Sequence, residues 1–530
     1  MNGAARRAAL WLLIFGLLLP ALAACGTVKG GVGNVTPTSG GILRLAGAPP
    51  ETLDPAVAQD VQSWGYLLEI YSGLVRLDDQ LQVKPDIATS WTVTNGGRTY
   101  TFSLRDDARF QDGRPITAQD FKYSLERALD PATKSPVAAT YLGDIVGATA
   151  RLQGKATAVS GIEVVDPHTL RITIDSPKSY FLSKLTYPTA FVVDQTNVSS
   201  GPEWYEHPNG SGPFQLKSWQ PNQQLTLVRN PHYYGTTPTL SEVDYYFGPE
   251  SAMSLYQQGK LDVAPIGVGD LPRVTDPSSP LRNQLRTTPQ LSFSYIGFNV
   301  QQKPFDDPKV RRAFAYATNK QGLINGLFGG TRIVANGVLP PGLAGYDASF
   351  GGIPFDPQKA RALLAESSYG SAANLPPIVL SVAGGSGSLG EAFATMYHQT
   401  LGVTVDVEQL ENTFYDDLAQ HHLQMFFLGW AADYPDPQDF VDILFNGSSQ
   451  ANSFGYDNPT VNALLARAAT ETDVQRRNTL YRQAQQQLIQ DAPVIPLYFD
   501  TDYELVSPAV TGLKITPMGI LSFGGVHVQS

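Results

Sequence analysis

Two spacings of apolar residues alternate along the chain. Residues 100–104 (Tyr-Thr-Phe-Ser-Leu) and 169–174 (Thr-Leu-Arg-Ile-Thr-Ile) place apolar and polar side chains on opposite faces, as half-buried strands do. Between them Phe121, Leu125, Ala128 and Leu129 recur at helical spacing. Thr117 stands where a cap belongs and Pro131 just past the end, so a helix is predicted over about 117–129. Three later helices share one kind of start. Asp307-Pro308, Asp356-Pro357 and Asn458-Pro459 each set a capping side chain before a proline in the first turn. Behind them come Val310, Ala313, Phe314 and Ala317; then Ala360, Leu363 and Leu364; then Val461, Leu464, Leu465 and Ala468. A last helix over 474–490 stops before Pro493, and a strand over 494–499 follows. The pattern is mixed α and β throughout, without an internal repeat of 20–50 residues.

The N-terminus breaks this pattern. Arg6 and Arg7 precede a charge-free apolar run at 10–19, and small residues then lead to Cys25, the single cysteine of the chain. That layout is a signal peptide rather than a membrane span. No later stretch approaches the ~20 apolar residues a span needs. Leu22-Ala23-Ala24-Cys25 resembles the bacterial lipobox, which implies that Cys25 is diacylated and becomes the new N-terminus. An ordinary secretory signal with a chance cysteine is the alternative. A lone cysteine excludes an internal disulfide framework and any Cys-based metal cluster. The Gly-, Ser- and Thr-rich stretch after it reads as a flexible tether reaching roughly 20 Å.

Composition narrows the function. Of 530 residues, 42% are apolar and 16% charged, so the chain is globular, and its length suggests about three domains. A net charge of -11 without a basic run excludes the clustered phosphate contacts of a nucleic-acid binder. Aromatic residues are 10% of the chain, enough to line a cleft as well as a core.

The common enzyme motifs are missing. There is no Gly-x-Ser-x-Gly, no phosphate-binding Walker loop and no His-Glu-x-x-His. His421 and His422 are adjacent, point apart on any regular element, and read as surface residues rather than metal ligands. Gly385-Ser-Gly-Ser-Leu-Gly390 matches a dinucleotide fingerprint between a predicted strand (378–383) and helix (391–401). The acidic residue that should close such a site, Asp406, instead lies inside the alternation of Val403, Val405 and Val407, so the run reads as a structural strand–helix turn. No cofactor and no metal are expected.

One segment stands out: Gly429-Trp-Ala-Ala-Asp-Tyr-Pro-Asp-Pro-Gln-Asp-Phe440. It follows an apolar strand at 425–428, so Asp433, Asp436 and Asp439 sit where α/β folds gather binding groups. Asp436 before Pro437 reads as a helix cap. That leaves Asp433 without a local role.

This segment resembles the signature of the extracytoplasmic solute-binding proteins of peptide ABC importers, the oligopeptide- and dipeptide-binding family (family 5). The likeness runs in order over nearly the whole chain: Thr52-Leu-Asp-Pro55, Tyr71-Ser-Gly-Leu74, Phe110-Gln-Asp-Gly-Arg-Pro115, Gly210-Ser-Gly-Pro-Phe214, Arg229-Asn-Pro-His-Tyr-Tyr234, and Pro304-Phe-Asp-Asp-Pro-Lys-Val-Arg-Arg-Ala-Phe314. Each is weak alone; their order is not.

The resemblance implies an α/β, type II periplasmic-binding-protein-like fold: two lobes around a hinge, plus an extra domain elaborating lobe one. The expected division is 1–24 signal peptide, 25–41 tether, 42–71 with 195–298 and 500–530 lobe one, 72–194 extra domain, and 299–499 lobe two, with hinge crossings near Asn299 and Phe499. It implies that Asp433 binds the α-ammonium group of a peptide. The backbone of Trp430, Ala431 and Ala432, and of Gln59, Asp60 and Val61 on the opposite lobe, would pair with the peptide as added strands do. Trp430 and Tyr434 are candidate pocket walls, or core residues. The implied protein is not an enzyme. It is a monomer held at the outer face of the cytoplasmic membrane through its lipid alone, periplasmic if a second membrane exists, and it delivers solute to the permease subunits. Two places depart from family members: Phe427 stands where some carry an arginine, and Val137 where some carry a tyrosine. A non-peptide solute (sugar, nickel chelate, opine), a lipoprotein hydrolase and a surface-interaction protein remain alternatives.

Overall fold

The computed structural model describes residues 41–529. The expected export signal, Cys25 and the expected tether up to residue 40 lie outside the described residues. The chain enters through strand β1 (Ile42–Ala46) and helix α1 (Val61–Ile70). Asp60 caps α1 by accepting from the Ser63 N–H at 2.8 Å. A four-stranded antiparallel sheet follows: β2 (Ala88–Thr94), β3 (Thr99–Leu104), β4 (Ile162–Asp166) and β5 (Thr169–Thr173), in the order β2-β3-β5-β4. Helix α2 (Ala118–Ala128) covers it, and a short helix α3 (Ala138–Leu142) comes next. Phe102, Leu170 and Ile172 on the strands and Phe121 and Leu125 on α2 are all fully buried, so both periodicities point into one core. The Leu-Asp-Pro turn is tied to this layer. Asp54 accepts from the Ala56 N–H at 2.9 Å and is paired with Arg127 of α2.

The chain then lays down β6 (Phe214–Gln220), β7 (Gln224–Arg229), β8 (Glu242–Tyr246), β9 (Val263–Pro265) and β10 (Leu285–Pro289). It continues with β11 (Ser292–Phe298), α4 (Pro308–Ala317), β12 (Ile333–Val334), α5 (Pro357–Ala365), β13 (Val379–Ala383), α6 (Gly387–Leu401), β14 (Asp406–Leu410) and β15 (Met425–Ala431). Helices α7 (Pro437–Phe445), α8 (Pro459–Thr470) and α9 (Val474–Asp491) precede β16 (Val494–Phe499) and β17 (Thr501–Val506). Two mixed sheets result. One has seven strands in the order β10-β17-β9-β1-β8-β7-β6, the other six in the order β12-β16-β11-β15-β13-β14.

The proline-led helices start where predicted. Asp307 accepts from the Lys309 N–H at 2.8 Å, Asp356 from Gln358 at 3.0 Å, and Asn458 from Thr460 at 2.9 Å. The glycine run at 385–390 is a tight junction between β13 and α6. Gly385 has φ +82°, and a Cβ on Gly390 would come within 2.6 Å of Val407. The glycines there serve strand–helix packing, and α6 starts at Gly387, ahead of the predicted 391.

One expectation is corrected. The first crossing between the two large sheets falls at Gln290–Leu291, not near Asn299. All seven residues of β11 are buried, at the centre of the six-stranded sheet. A continuous apolar strand reads alike in either sheet; only its pairing with β15 and β16 decides. The second crossing is at Asp500, whose carbonyl accepts from the Gln290 N–H at 2.9 Å. The two connections are thus bonded side by side.

Candidate functional site

β15 carries the signature segment to the edge of its sheet. It pairs antiparallel with β11 from Met425 to Ala431, but with β13 through Met425 and Phe426 alone. From residue 427 onward its second edge has no strand partner among the described residues. The Ala432 N–H donates to the Leu291 carbonyl at 2.8 Å. Antiparallel pairing alternates, so the backbone groups of Trp430 face β11 as well, while those of Gly429 and Ala431 face the open edge. Both of the latter residues are exposed. This corrects the expectation for the segment: of Trp430, Ala431 and Ala432, only Ala431 has its backbone donor and acceptor turned to the free edge.

Three carboxylates follow, in different states. Asp436 caps α7, accepting from the Gln438 N–H at 2.9 Å, and is paired with Arg477 at 2.8 Å. Asp439 is fully buried. Its Oδ2 accepts from the Asp433 N–H at 3.0 Å and from Trp430 Nε1 at 3.2 Å, and its Oδ1 has no partner among the described residues. Asp433 is half-buried and accepts from the hydroxyl of Tyr141. Desolvation pushes the Asp433 carboxyl up from its ordinary range, against the Tyr141 hydrogen bond, which lowers it. Asp439 is pushed well up by desolvation and then by the charge of Asp433. The nearby cations are already paired: Arg477 with Asp436, and Lys184 with Asp144 at 2.8 Å. Two neighbouring carboxyls therefore stand without a positive charge among the described residues to neutralise them.

Aromatic rings link this pair to α1. Tyr141 of α3 stacks on Tyr187, with ring centroids 3.9 Å apart, and Tyr187 stacks in turn on Trp64 at 6.3 Å. Trp64 Nε1 is buried without an acceptor among the described residues. Just ahead of it, Gln59 is exposed, Asp60 caps α1, and Val61 is 54% exposed. Val61 is the first residue of a helix, so the stretch of Gln59, Asp60 and Val61 is not strand-like as expected; it offers helix N-terminal N–H groups.

The remaining site residues serve packing. Tyr434 is fully buried, edge-on to Tyr141, with its hydroxyl on Gln438. Phe427 packs against Phe393 at 6.3 Å. His421 and His422 are both exposed. No group of three metal-ligating side chains occurs among the described residues, and no described helix is long and apolar enough to cross a membrane. Tyr141, Tyr187, Trp64 and the partnering role of Asp439 escaped sequence reasoning. The nearest signal was Tyr141, four residues beyond the position where the family tyrosine is replaced by Val137.

Residues 82–452 match the profile of bacterial extracellular solute-binding proteins, family 5 Middle. The chain is 28% identical over 536 residues to the oligopeptide-binding protein OppA of Bacillus subtilis, covering 98% of each. It is 31% identical to the periplasmic murein peptide-binding protein MppA of Escherichia coli, over 89% of this chain and 90% of that one. A solved structure of the E. coli murein tripeptide binding protein MppA superposes with a TM-score of 0.82 at 29% identity, covering 92% of this chain and 98% of that chain. The unliganded open form of MppA fits less closely, with a TM-score of 0.73. These solved structures have two lobes plus an extra domain, and the mixed α/β architecture here matches them.

Proposed function

Because the chain belongs to the bacterial extracellular solute-binding proteins of family 5, we propose that it captures short peptides by their α-ammonium group between two closing lobes and delivers them to the permease of an ABC importer. The observation that carries this reading is the unneutralised Asp433–Asp439 pair beside the open strand edge at Ala431. A desolvated carboxylate without a cation costs several kcal/mol, and an arriving ammonium removes that cost. The charge-assisted bond it forms is of the strong kind. The Ala431 N–H and C=O would then take the peptide backbone, which carries no side-chain information, so many sequences are accepted. The stack of Tyr141, Tyr187 and Trp64 bounds the cleft from the other side.

In this reading the seven-stranded sheet forms lobe one, the six-stranded sheet forms lobe two, and the four-stranded sheet is the core of the extra domain. The hinge is the bonded pair of crossings at residues 290–291 and 500, which lets the lobes rotate while both sheets stay intact. Cys25 carries the lipid, and the tether keeps the body beside the permease at the membrane face.

Calorimetry with unblocked tripeptides and their N-acetylated forms is the test. The free amine is expected to bind at least 100-fold more tightly. Equal affinity would sink the ammonium anchor. Mass spectrometry of material co-purifying with the protein would identify the natural solute directly.

A further inference from the structure

Trp64 has a second face. Beside it lies a cavity of about 700 Å³, bounded by α1, by Tyr233 and Tyr234, and by the C-terminal segment around Phe523. Glu69, in the last turn of α1, lines this cavity and is 8% exposed. Its carboxylate makes no hydrogen bond and no ion pair among the described residues. The glycines of the 210–214 motif hold it in place. Ser211 and Gly212 donate to the Ile70 carbonyl at 3.0 and 2.8 Å, and a Cβ on Gly212 would meet the Glu69 carbonyl at 2.3 Å.

Apart from Arg76, the other charged groups around the cavity are engaged. Asp86 accepts from the Tyr234 hydroxyl and from the Gly73 N–H at 3.3 Å. Arg105 bonds Asp107 and lies 4.3 Å over the Tyr234 ring. Lys514 pairs with Asp79 at 2.6 Å. Arg76 stands exposed at the rim. A lone carboxylate facing an aromatic-walled space is expensive unless a cation arrives to pair with it.

We propose that this cavity is a subsite for a primary ammonium group on an apolar stem, with Glu69 holding the charge and Trp64 and Tyr233 flanking the stem. Two sources carry that chemistry. One is a lysine side chain of the captured peptide, which rests on the peptide reading above. Trp64 borders the cavity and is linked by ring stacking through Tyr187 and Tyr141 to the amine site at Asp433. The other source is a free diamine.

The test is calorimetry at pH 7 with tripeptides carrying lysine at each position in turn, their norleucine counterparts, and cadaverine. At one position lysine is expected to bind at least 10-fold more tightly than norleucine. Glu69→Gln should abolish that difference and leave norleucine peptides within 2-fold of the wild type. Burial pushes the Glu69 carboxyl up to about 8, so pairing with an ammonium must release a proton. Titration in buffers of different ionisation enthalpy should show a net release of more than about half a proton by the lysine peptide beyond its norleucine partner. That readout needs the wild type alone, should the variant fail to fold. Cadaverine binding alongside a norleucine peptide, and lost in Glu69→Gln, would support the subsite with the free amine as its source. Equal binding of lysine and norleucine at every position with no binding of cadaverine would overturn the proposal, as would a lysine preference that survives Glu69→Gln. If no peptide binds at all, the peptide reading fails, and cadaverine alone decides the subsite.

Discussion

Replacing Asp433 by Asn separates function from stability, because the two should move in opposite directions. The substitution keeps the shape and an acceptor for the Tyr141 hydroxyl but removes the charge. Removing one partner of a buried ion pair costs about 3–5 kcal/mol. Peptide affinity should therefore fall roughly 150- to 5,000-fold. An N-acetylated peptide has no ammonium to lose, so its affinity should change little. Stability of the ligand-free protein should rise. Asp433 and Asp439 are both desolvated carboxyls held above their ordinary range. Below about pH 3.9 such groups are protonated whether the chain is folded or not, and they contribute no pH dependence. Above it the unfolded chain ionises first, so the folded state loses ground as pH rises until its own carboxyls ionise. Asn removes one of the two groups. Thermal melts should show no difference near pH 4 and a gain of roughly 1–3 °C for the variant at pH 7.5. Calorimetry with free and acetylated peptides, set beside those melts, is the assay. A variant that melts lower at pH 7.5 and loses both peptides equally would refute the reasoning, since Asp433 would then be a structural residue.

Three further outcomes are expected. Arg477→Ala leaves Asp436 buried without its cation and should cost about 3–5 kcal/mol in urea unfolding, because both side chains are largely buried in the ion pair. Gly212→Ala would drive a methyl within 2.3 Å of the Glu69 carbonyl and 2.7 Å of the Ile70 carbonyl carbon, both backbone atoms; a loss of about 1–3 kcal/mol or more is expected, read as a lower urea midpoint. Glu69, raised from 4.5 to about 8, should make wild-type stability fall as pH rises through that window, and Glu69→Gln should flatten that part of the profile in melts from pH 4.5 to 8.5.

Much was legible because it is local. Asp307, Asp356, Asp436 and Asn458 cap their helices through bonds to N–H groups two residues on, so a dipeptide ending in proline is enough to place the start. Alternation found β3 and β5, since each has one face on a single core. Asp433 was singled out as the acidic residue that no local structure required. The glycine run at 385–390 was rightly read as a turn, because Asp406 lay where no ribose-binding carboxylate would.

What escaped was decided by contacts between distant residues. β11 is apolar along its whole length, so nothing in its composition says which sheet it enters, and the crossing between the two sheets was expected some eight residues too late. Sequence spacing also cannot tell which backbone groups of a strand are already used; that Ala431 rather than Ala432 faces the open edge depends on the register with β11. The sequence alone determined the helix starts, the mixed α/β class and the acidic residue that anchors the proposed site, since each rests on a few consecutive residues. Only the tertiary structure could bring Tyr141 to Asp433, leave Asp433 and Asp439 without a cation among the described residues, and set Glu69 at a cavity. Charges are satisfied or stranded by neighbours in space, and those neighbours lie far apart along the chain.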